Sequence, residues 1–123
     1  MDKKILIIED DVILREVLSD FLVKEGFTVV TASNGEEGVN QAKKKKPDLI
    51  ILDIILPKKD GFEVIKDLKK DEKTEKIFIV LLTNLESLND IEKALNLGAT
   101  TYLIKSDYSL EEVVKKIKDI LNR

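Results

Sequence analysis

The sequence predicts a single three-layer α/β domain in which a parallel sheet is covered by helices on both faces. Short apolar runs alternate five times with longer amphipathic stretches along the 123 residues. The predicted strands at 5–8, 49–53 and 77–83 are apolar at every position except the last residues of the second and third, Asp53 and Thr83, as expected of strands that are buried on both faces. Regular alternation of strands and helices is typical of a doubly wound sheet, and the length suits one domain.

The elements follow in order along the chain. A strand at 5–8 precedes a helix at 12–26, and a β-branched strand at 27–32 precedes a helix at 36–46. The apolar residues that share one face of the first helix are Val12, Leu14, Val17, Leu18, Phe21 and Leu22. The remaining predicted elements are strands at 49–53, 77–83 and 100–104, and helices at 62–70, 84–98 and 109–123. Ser109 and Glu112 have the spacing of a capping box at the start of the last helix.

Charge and composition narrow the class of protein. Lys and Arg total 21 and Asp and Glu total 24, so a net charge of -3 gives no general attraction to nucleic acid or anionic membrane. The four lysines at 43–46 are interpreted as the solvated end of a helix. No signal peptide is expected, because acids follow the first short apolar run at once. The absence of Cys and His excludes disulfides, thiolate metal sites and a phosphohistidine carrier. We expect a cytoplasmic domain.

Polar residues gather where the predicted strands end. In open α/β sheets, ligands bind at the carboxyl ends of the strands. We expect the strand order 2-1-3-4-5, which brings most of these ends together. The residues at the ends of strands one, three, four and five are Glu9, Asp10, Asp11, Asp53, Thr83 and Lys105. We expect Asp53 to lie at the open end of its strand, outside the buried part.

These residue types predict one kind of chemistry. Clustered carboxylates repel one another unless a cation joins them, and all-oxygen ligands suit a hard ion such as Mg2+ or Mn2+. A carboxylate beside such an ion and a lysine can act as a nucleophile toward a phosphoryl group. Taken singly, each residue has a plainer interpretation: an acid that caps a helix, a β-forming threonine or a solvated lysine. Periodicity does not decide which two of Glu9, Asp10 and Asp11 face the site.

The sequence resembles the receiver domain of bacterial two-component response regulators, of the chemotaxis-regulator kind. The resemblance covers about residues 3–122, and rests on ILIIEDD, PDLIILDIILPKKDGFEVI, IFIVLLT and GATTYLIK. It implies one receiver domain over 1–123 with flavodoxin-like topology. It also implies the site residues: Asp53 as phosphoacceptor, Glu9, Asp10, Asp53 and the Ile55 carbonyl as ligands of Mg2+ or Mn2+, Thr83 and Lys105 as phosphoryl contacts, and Thr83 and Tyr102 as switch residues. From the residues alone, Tyr102 is interpreted as a core aromatic.

The function implied is a signalling switch that receives its phosphoryl group from a sensor histidine kinase or phosphotransfer protein. Phosphorylation would change the face formed by the fourth helix, fifth strand and fifth helix, and so alter binding of a downstream protein or a fused output domain. Such a domain is no turnover enzyme, although it catalyses its own phosphorylation and dephosphorylation. We expect a monomer, with a dimer of the phosphorylated form as the alternative. The sequence leaves open whether the domain stands alone or is part of a longer protein.

Two positions depart from the family pattern. Ser106 follows Lys105 where the family usually has a proline after a cis peptide bond. Because a cis bond before a non-proline residue costs about 2.5–4 kcal/mol, we predict a trans bond and an altered loop. Asn84 follows Thr83 where a small residue is common. We predict that its side chain crowds the phosphoryl group and slows hydrolysis.

Other functions fit the sequence less well. A receiver-like interaction module that works without phosphorylation remains the alternative, although such modules usually lack one of the acids, the lysine or the acceptor. A flavodoxin-like FMN protein needs a phosphate loop after the first strand, where this chain has EDDVIL. A haloacid-dehalogenase-type phosphatase needs a second acid two residues after the nucleophile, and that residue is Ile55.

Overall fold

The computed structural model describes residues 3–84 and 88–122, and within these ranges strands and helices alternate along the chain. The five strands are β1 (Lys4–Ile8), β2 (Thr28–Ala32), β3 (Leu49–Leu52), β4 (Phe78–Thr83) and β5 (Thr101–Ile104). The five α-helices are α1 (Val12–Lys24), α2 (Gly35–Lys45), α3 (Gly61–Lys70), α4 (Leu88–Leu97) and α5 (Leu110–Leu121). A 3₁₀ turn at Lys105–Asp107 joins β5 to α5.

The five strands form one parallel sheet in the order β2-β1-β3-β4-β5, which confirms the predicted fold class and topology. Ile8 of β1 is level with Ala32 of β2 on one side and with Leu52 of β3 on the other. Leu52 is in turn level with Leu81 of β4. The chain segments that follow β1 and β3 therefore leave the sheet at the same height and at the same edge.

A separate apolar core covers each face of the sheet. Alternate side chains of β3 point to opposite faces, so Leu49 and Ile51 belong to one core while Ile50 and Leu52 belong to the other. The first core takes its helical residues from α1 and α5: Leu18, Leu22, Val113, Val114 and Ile117. The second takes its helical residues from α2, α3 and α4: Val39, Ala42, Val64, Ile65, Leu68 and Ala94. This double covering explains why the β3 sequence is apolar at every position.

The helix boundaries differ from the prediction in a few places. Val12 was expected on the apolar face of the first helix, but it is 53% exposed because it lies in the first turn, beyond the edge of the sheet. The fourth helix was predicted from residue 84, but Asn84 lies in a bend and the described helix begins at Leu88. The predicted helical residues 85–87, and residue 123 at the end of the last predicted helix, lie outside the described residues.

The start of α5 follows the prediction. The Ser109 hydroxyl accepts a hydrogen bond from the Glu112 N–H, and the Glu112 carboxylate accepts one from the Ser109 N–H, which together form the capping box. Among the described residues no peptide bond is cis, so the Lys105–Ser106 bond is trans as predicted. None of the helices within residues 3–84 and 88–122 has the length and apolar character that a membrane span requires.

Candidate functional site

Asp53 lies directly beyond the last residue of β3, at the edge where β1 also ends. Its backbone N–H donates to the Ile8 carbonyl at 3.1 Å, which continues the pairing between the two strands by one residue. The residue is only 8% exposed, so the expectation that it lies outside the buried part of the strand is wrong. Ile54 and Leu56 of the following loop are also buried and close over the strand end. A buried carboxylate needs a charged or hydrogen-bonding partner.

The loop after Asp53 turns back on itself and is held by Gly61 at the start of α3. The Gly61 N–H donates to the Ile54 carbonyl at 2.7 Å. A Cβ atom on this glycine would lie 2.5 Å from the Ile54 Cα and 2.8 Å from the Asp53 carbonyl oxygen. Only a residue without a side chain permits this approach, so Gly61 allows the start of α3 to pack directly against the backbone of Asp53 and Ile54.

Glu9 and Lys105 supply the partners of Asp53. The Glu9 N–H donates to the Ala32 carbonyl at 3.1 Å, which anchors its backbone beside the end of β2. The Lys105 Nζ lies 2.6 Å from Glu9 Oε1 and 3.0 Å from Asp53 Oδ2. The lysine therefore bridges the two buried carboxylates. The sequence analysis places Lys105 beside Asp53, but it did not predict that the same ammonium also contacts Glu9.

Strand periodicity brings the three charged side chains to the same side of the sheet. Residues 5 and 7, 49 and 51, and 103 belong to the core that α1 and α5 cover. Residues 9, 53 and 105 continue the same alternation by one step beyond each strand. Their charged groups consequently meet at the end of that core that lies beside the carboxyl ends of the strands.

Lys105 can neutralise only one of its two carboxylate partners, Glu9 and Asp53. The pKa values of Glu9 and Lys105 are both raised in these surroundings. Burial, opposed by the hydrogen bond from Lys105 and reinforced by the charge of Asp53, raises the pKa of Glu9 to about 7. Burial by itself would lower the pKa of Lys105, but the hydrogen bonds and charges of Glu9 and Asp53 outweigh it and raise that pKa above 10.5. A cluster of this charge favours binding of a further cation.

The acids of this edge fit a hard divalent cation. Glu9, Asp10 and Asp53 each offer a carboxylate oxygen, and these oxygens lie within 4.8 Å of one another. Asp10 is exposed and so leaves an open approach for a solvated ion. Asp11 instead accepts a hydrogen bond from the Leu14 N–H and caps α1.

Of the other predicted site residues, Ile55 follows Asp53 in the loop after β3, Thr83 ends the neighbouring strand β4, and Tyr102 lies on β5. Thr83 is fully buried at the end of β4, and Ile55, whose N–H is 3.4 Å from Asp53 Oδ1, is exposed in the loop after β3. Tyr102 is 40% exposed on β5, so its interpretation as a core aromatic was wrong. It lies beside a cleft of about 640 Å³ that Phe78 and Tyr108 also line.

Sequence reasoning missed one residue that contacts the acidic turn. The Arg15 Nη1 donates to the backbone carbonyl of Glu9 at 2.8 Å. A single arginine on the first turns of a helix is not distinctive in itself. The available signal was its position, one turn after the helix-capping Asp11, from which a long side chain reaches back over the helix start.

The fold and the site define a doubly wound α/β domain in which a lysine bridges two buried carboxylates and an exposed carboxylate lies beside them. The model of the response regulator receiver domain family matches residues 5–118, and the chain belongs to that family. Members of the family are the phosphoryl-accepting signalling domains of two-component systems.

Similar proteins share most or all of the chain. The alkaline phosphatase synthesis transcriptional regulatory protein PhoP of Bacillus subtilis is 41% identical over 125 residues, covering 100% of this chain and 50% of that protein. A two-component response regulator from Clostridium difficile is 36% identical, with a TM-score of 0.90 over 99% of this chain and 98% of that one. The BeF3-activated N-terminal receiver domain of Klebsiella pneumoniae RstA is 30% identical, with a TM-score of 0.87 over 98% and 100%. The chain spans about half the length of the curated relatives it matches.

Proposed function

We propose that this domain is a phosphorylation-dependent switch in which Asp53 accepts a phosphoryl group from a phosphohistidine of a partner histidine kinase or phosphotransfer protein. The observation that carries the proposal is the placement of Asp53, with one carboxylate oxygen 3.0 Å from the Lys105 Nζ and the acids Glu9 and Asp10 close beside it. Membership of the receiver family supports it further.

The transfer involves one bond made and one broken. An Asp53 carboxylate oxygen attacks the phosphorus, the bond from phosphorus to the donor imidazole nitrogen breaks, and the electron pair leaves with that nitrogen, which takes up a proton. The product is an acyl phosphate on Asp53. Water later attacks the phosphorus and releases inorganic phosphate, which regenerates the carboxylate. The domain thus returns to its starting state without turning over an external substrate.

The residues around Asp53 have separate roles in this proposal. Glu9, Asp10, Asp53 and the Ile55 carbonyl would hold Mg2+ or Mn2+, and the bound ion would neutralise charge on the phosphoryl oxygens. Lys105 already contacts Asp53 and would pair with a phosphoryl oxygen once the carboxylate is phosphorylated. Burial of Lys105 reduces the screening of its charge by water, so its attraction for a phosphoryl oxygen is strong.

The output is a change in the face formed by α4, β5 and α5. We propose that Thr83 donates its hydroxyl to the phosphoryl group and that Tyr102 then moves inward. Tyr102 starts 40% exposed on β5, so an inward movement would alter the surface. Such a switch requires two states whose populations the phosphoryl group shifts. The new surface would bind a downstream protein or an output domain, with the domain as a monomer or, when phosphorylated, a dimer.

A small-molecule phosphodonor with Mg2+ tests the acceptor. We expect the wild-type protein to gain the mass of one phosphoryl group and Asp53→Asn to gain none. Asp11→Asn is the matched control, because asparagine caps a helix as well as aspartate does and Asp11 lies outside the proposed ligand set. It should be labelled like the wild type. Labelling of Asp53→Asn to the wild-type extent would refute the proposal.

The alternative function is a receiver-like interaction module that needs no phosphorylation. It predicts no binding of Mg2+ and no labelling, although every residue of the cluster is present. Because the Klebsiella relative is described as BeF3-activated, beryllofluoride offers a second test. We expect beryllofluoride with Mg2+ to change the tyrosine fluorescence of the wild type and to leave Asp53→Asn unchanged.

Asn84 bears on the lifetime of the acyl phosphate. It is exposed and follows Thr83 directly, where a side chain could obstruct the approach of water. We expect Asn84→Ala to lose its phosphoryl group faster than the wild type in a mass-spectrometric time course. An unchanged rate would eliminate this role for Asn84.

A further inference from the structure

Arg15 closes the turn that carries the acidic residues. Its Nη1 donates to the Glu9 carbonyl at 2.8 Å, while its backbone N–H donates to the Asp11 carbonyl at 2.9 Å. Inside the same turn, the Asp11 N–H donates to Glu9 Oε2 at 3.2 Å. The turn from Glu9 to Asp11 is therefore hydrogen-bonded at both ends, and Arg15 contributes to each end.

The contact with the Glu9 carbonyl affects the direction of Asp10. The Glu9 N–H is already fixed by the Ala32 carbonyl, so the arginine fixes the other polar group of the same residue. The Glu9 carbonyl belongs to the peptide plane that leads into Asp10, and a peptide unit is rigid. Fixing that plane restricts where the exposed Asp10 carboxylate points. Asp10 is the acid of the cluster with the least burial to orient it.

We propose that Arg15 is a positioning residue for the cation site, holding the peptide between Glu9 and Asp10 so that the Asp10 carboxylate faces Glu9 and Asp53. The inference rests on the proposed function, because it assigns a role toward the cation that these acids would bind. Groups that orient metal ligands without touching the metal typically change metal affinity by about 10–100-fold when they are removed.

The positive charge of Arg15 acts against cation binding, whereas its positioning of Asp10 would favour it. The direction in which cation affinity changes when Arg15 is replaced therefore distinguishes the two effects. A guanidinium close to a cation site repels the cation, so removing it would strengthen binding if charge alone mattered. Repulsion of this kind is screened by salt, with a Debye length of about 10 Å at 0.1 M ionic strength. Positioning through a hydrogen bond at 2.8 Å depends little on salt.

Calorimetric titration of the unphosphorylated full chain with Mg2+, and separately with Mn2+, tests the proposal. We expect Arg15→Gln to bind each ion at least about tenfold more weakly than the wild type, at both low and high salt. Arg15→Lys keeps the charge on a flexible chain with no fork of donors, and we expect it to regain only part of the affinity. Lys24→Gln is the matched control, because it removes one positive charge from the last turn of the same helix. It should bind within about twofold of the wild type.

The outcomes separate this inference from the proposed function. If the wild type binds Mg2+ and Arg15→Gln binds as tightly as Lys24→Gln, or more tightly, the positioning role is overturned while the proposed function stands. If the wild type binds neither ion, the proposed function fails and the inference fails with it. Urea unfolding of each variant shows whether it is folded at the titration temperature. Weaker binding by a folded Arg15→Gln supports positioning, since a purely structural role would lower the free energy of unfolding and leave the affinity unchanged.

Discussion

Two lysine–carboxylate contacts of nearly equal length lie in contrasting surroundings, one buried and one exposed. The Lys105 Nζ is 3.0 Å from Asp53 Oδ2, and the Lys118 Nζ is 3.1 Å from Glu25 Oε2. The lysine side chain is 15% exposed in the first contact and 41% exposed in the second. Water screens the second pair, which joins α1 to α5, and exposed pairs of this kind contribute about 0–1 kcal/mol to stability.

The difference shows that burial, and not distance, distinguishes the electrostatic surroundings of the two contacts. Lys105 has a second buried partner in Glu9, so one ammonium faces two carboxylates away from bulk water. Burial, reinforced by the charge of Asp53, raises the pKa of Glu9. Burial by itself would lower the pKa of Lys105, but the hydrogen bonds and charges of the two carboxylates raise it. Around an exposed pair, water and salt ions would screen the same excess of negative charge. The buried cluster relieves it by taking up a proton or, in our proposal, a divalent cation.

Removing the buried lysine should have the largest effect on stability. In metal-free buffer at pH 7.5, we expect Lys105→Met to lower the free energy of unfolding by about 3 kcal/mol, because two buried carboxylates lose their counterion. The loss should be smaller at pH 5.5, where protonation of Glu9 removes one charge. Urea denaturation at the two pH values measures it.

Lys118→Met is the control, and we expect it to lower the free energy of unfolding by less than about 1 kcal/mol. Equal losses in the two variants would contradict the comparison.

Crowding the loop after Asp53 should have the next largest effect. We expect Gly61→Ala to lower the free energy of unfolding by about 1–3 kcal/mol, since the added methyl group meets the backbone of Asp53 and Ile54. Gly38→Ala is a matched variant that crowds the side chain of Ile8 instead. Both should be destabilised in urea, but only Gly61→Ala should accept phosphoryl groups more slowly. Equal rates of labelling would show that the loop does not position Asp53.

The raised pKa of Glu9 predicts a pH dependence of cation binding. Between pH 4.5 and about 7 the folded, metal-free protein holds a proton on Glu9 that the unfolded chain has lost, so this group's contribution to stability falls as the pH rises through that window. Mg2+ must displace the same proton. We expect binding about tenfold weaker at pH 6 than at pH 8, with proton release near pH 7.

Calorimetry in buffers of different ionisation enthalpy measures that release. Binding heats that are independent of the buffer would contradict a proton on Glu9.

The cap of α5 should give the smallest of these effects. We expect Ser109→Ala to lower the free energy of unfolding by about 1 kcal/mol, because the Glu112 N–H loses its acceptor. The hydrogen bond from Ser109 lowers the pKa of Glu112, so its stabilisation is present above pH 4.5 and is lost as the pH falls through the lowered value. Ser106→Ala, at an exposed position of the 3₁₀ turn, should change stability by less than about 0.5 kcal/mol. Equal decreases in the free energy of unfolding for Ser109→Ala and Ser106→Ala would contradict a stabilising role for the Ser109 cap.

Local pattern was sufficient for most of the fold. The apolar run at 49–52 predicts a central strand, because only a strand covered on both faces has no polar position, and the two cores confirm it. The capping box at Ser109 was predictable because it joins residues three apart. The position of Asn84 was not predictable in the same way: it was expected to begin the fourth helix but lies in a bend, since more than one residue after Thr83 is of a type that caps a helix.

The candidate site was predictable in its composition but not in its contacts. Strand ends placed Asp53, Glu9 and Lys105 at one edge, as the structure has them. Which acids face one another depends on strand register and on the direction of each turn. The bridging position of Lys105 and the hydrogen bond from Arg15 to Glu9 were therefore not predictable from spacing.

The sequence by itself determined the succession of strands and helices along the chain, the covering of the sheet on both faces and the edge at which the polar residues gather. It did so because periodicity and capping are properties of neighbouring residues. Only the tertiary structure decided that Glu9 and Asp53 are buried and share Lys105, and that Arg15 closes the turn beside them. Residues 9, 53 and 105 are far apart along the chain, and their charges interact only after packing has aligned three strands and excluded water.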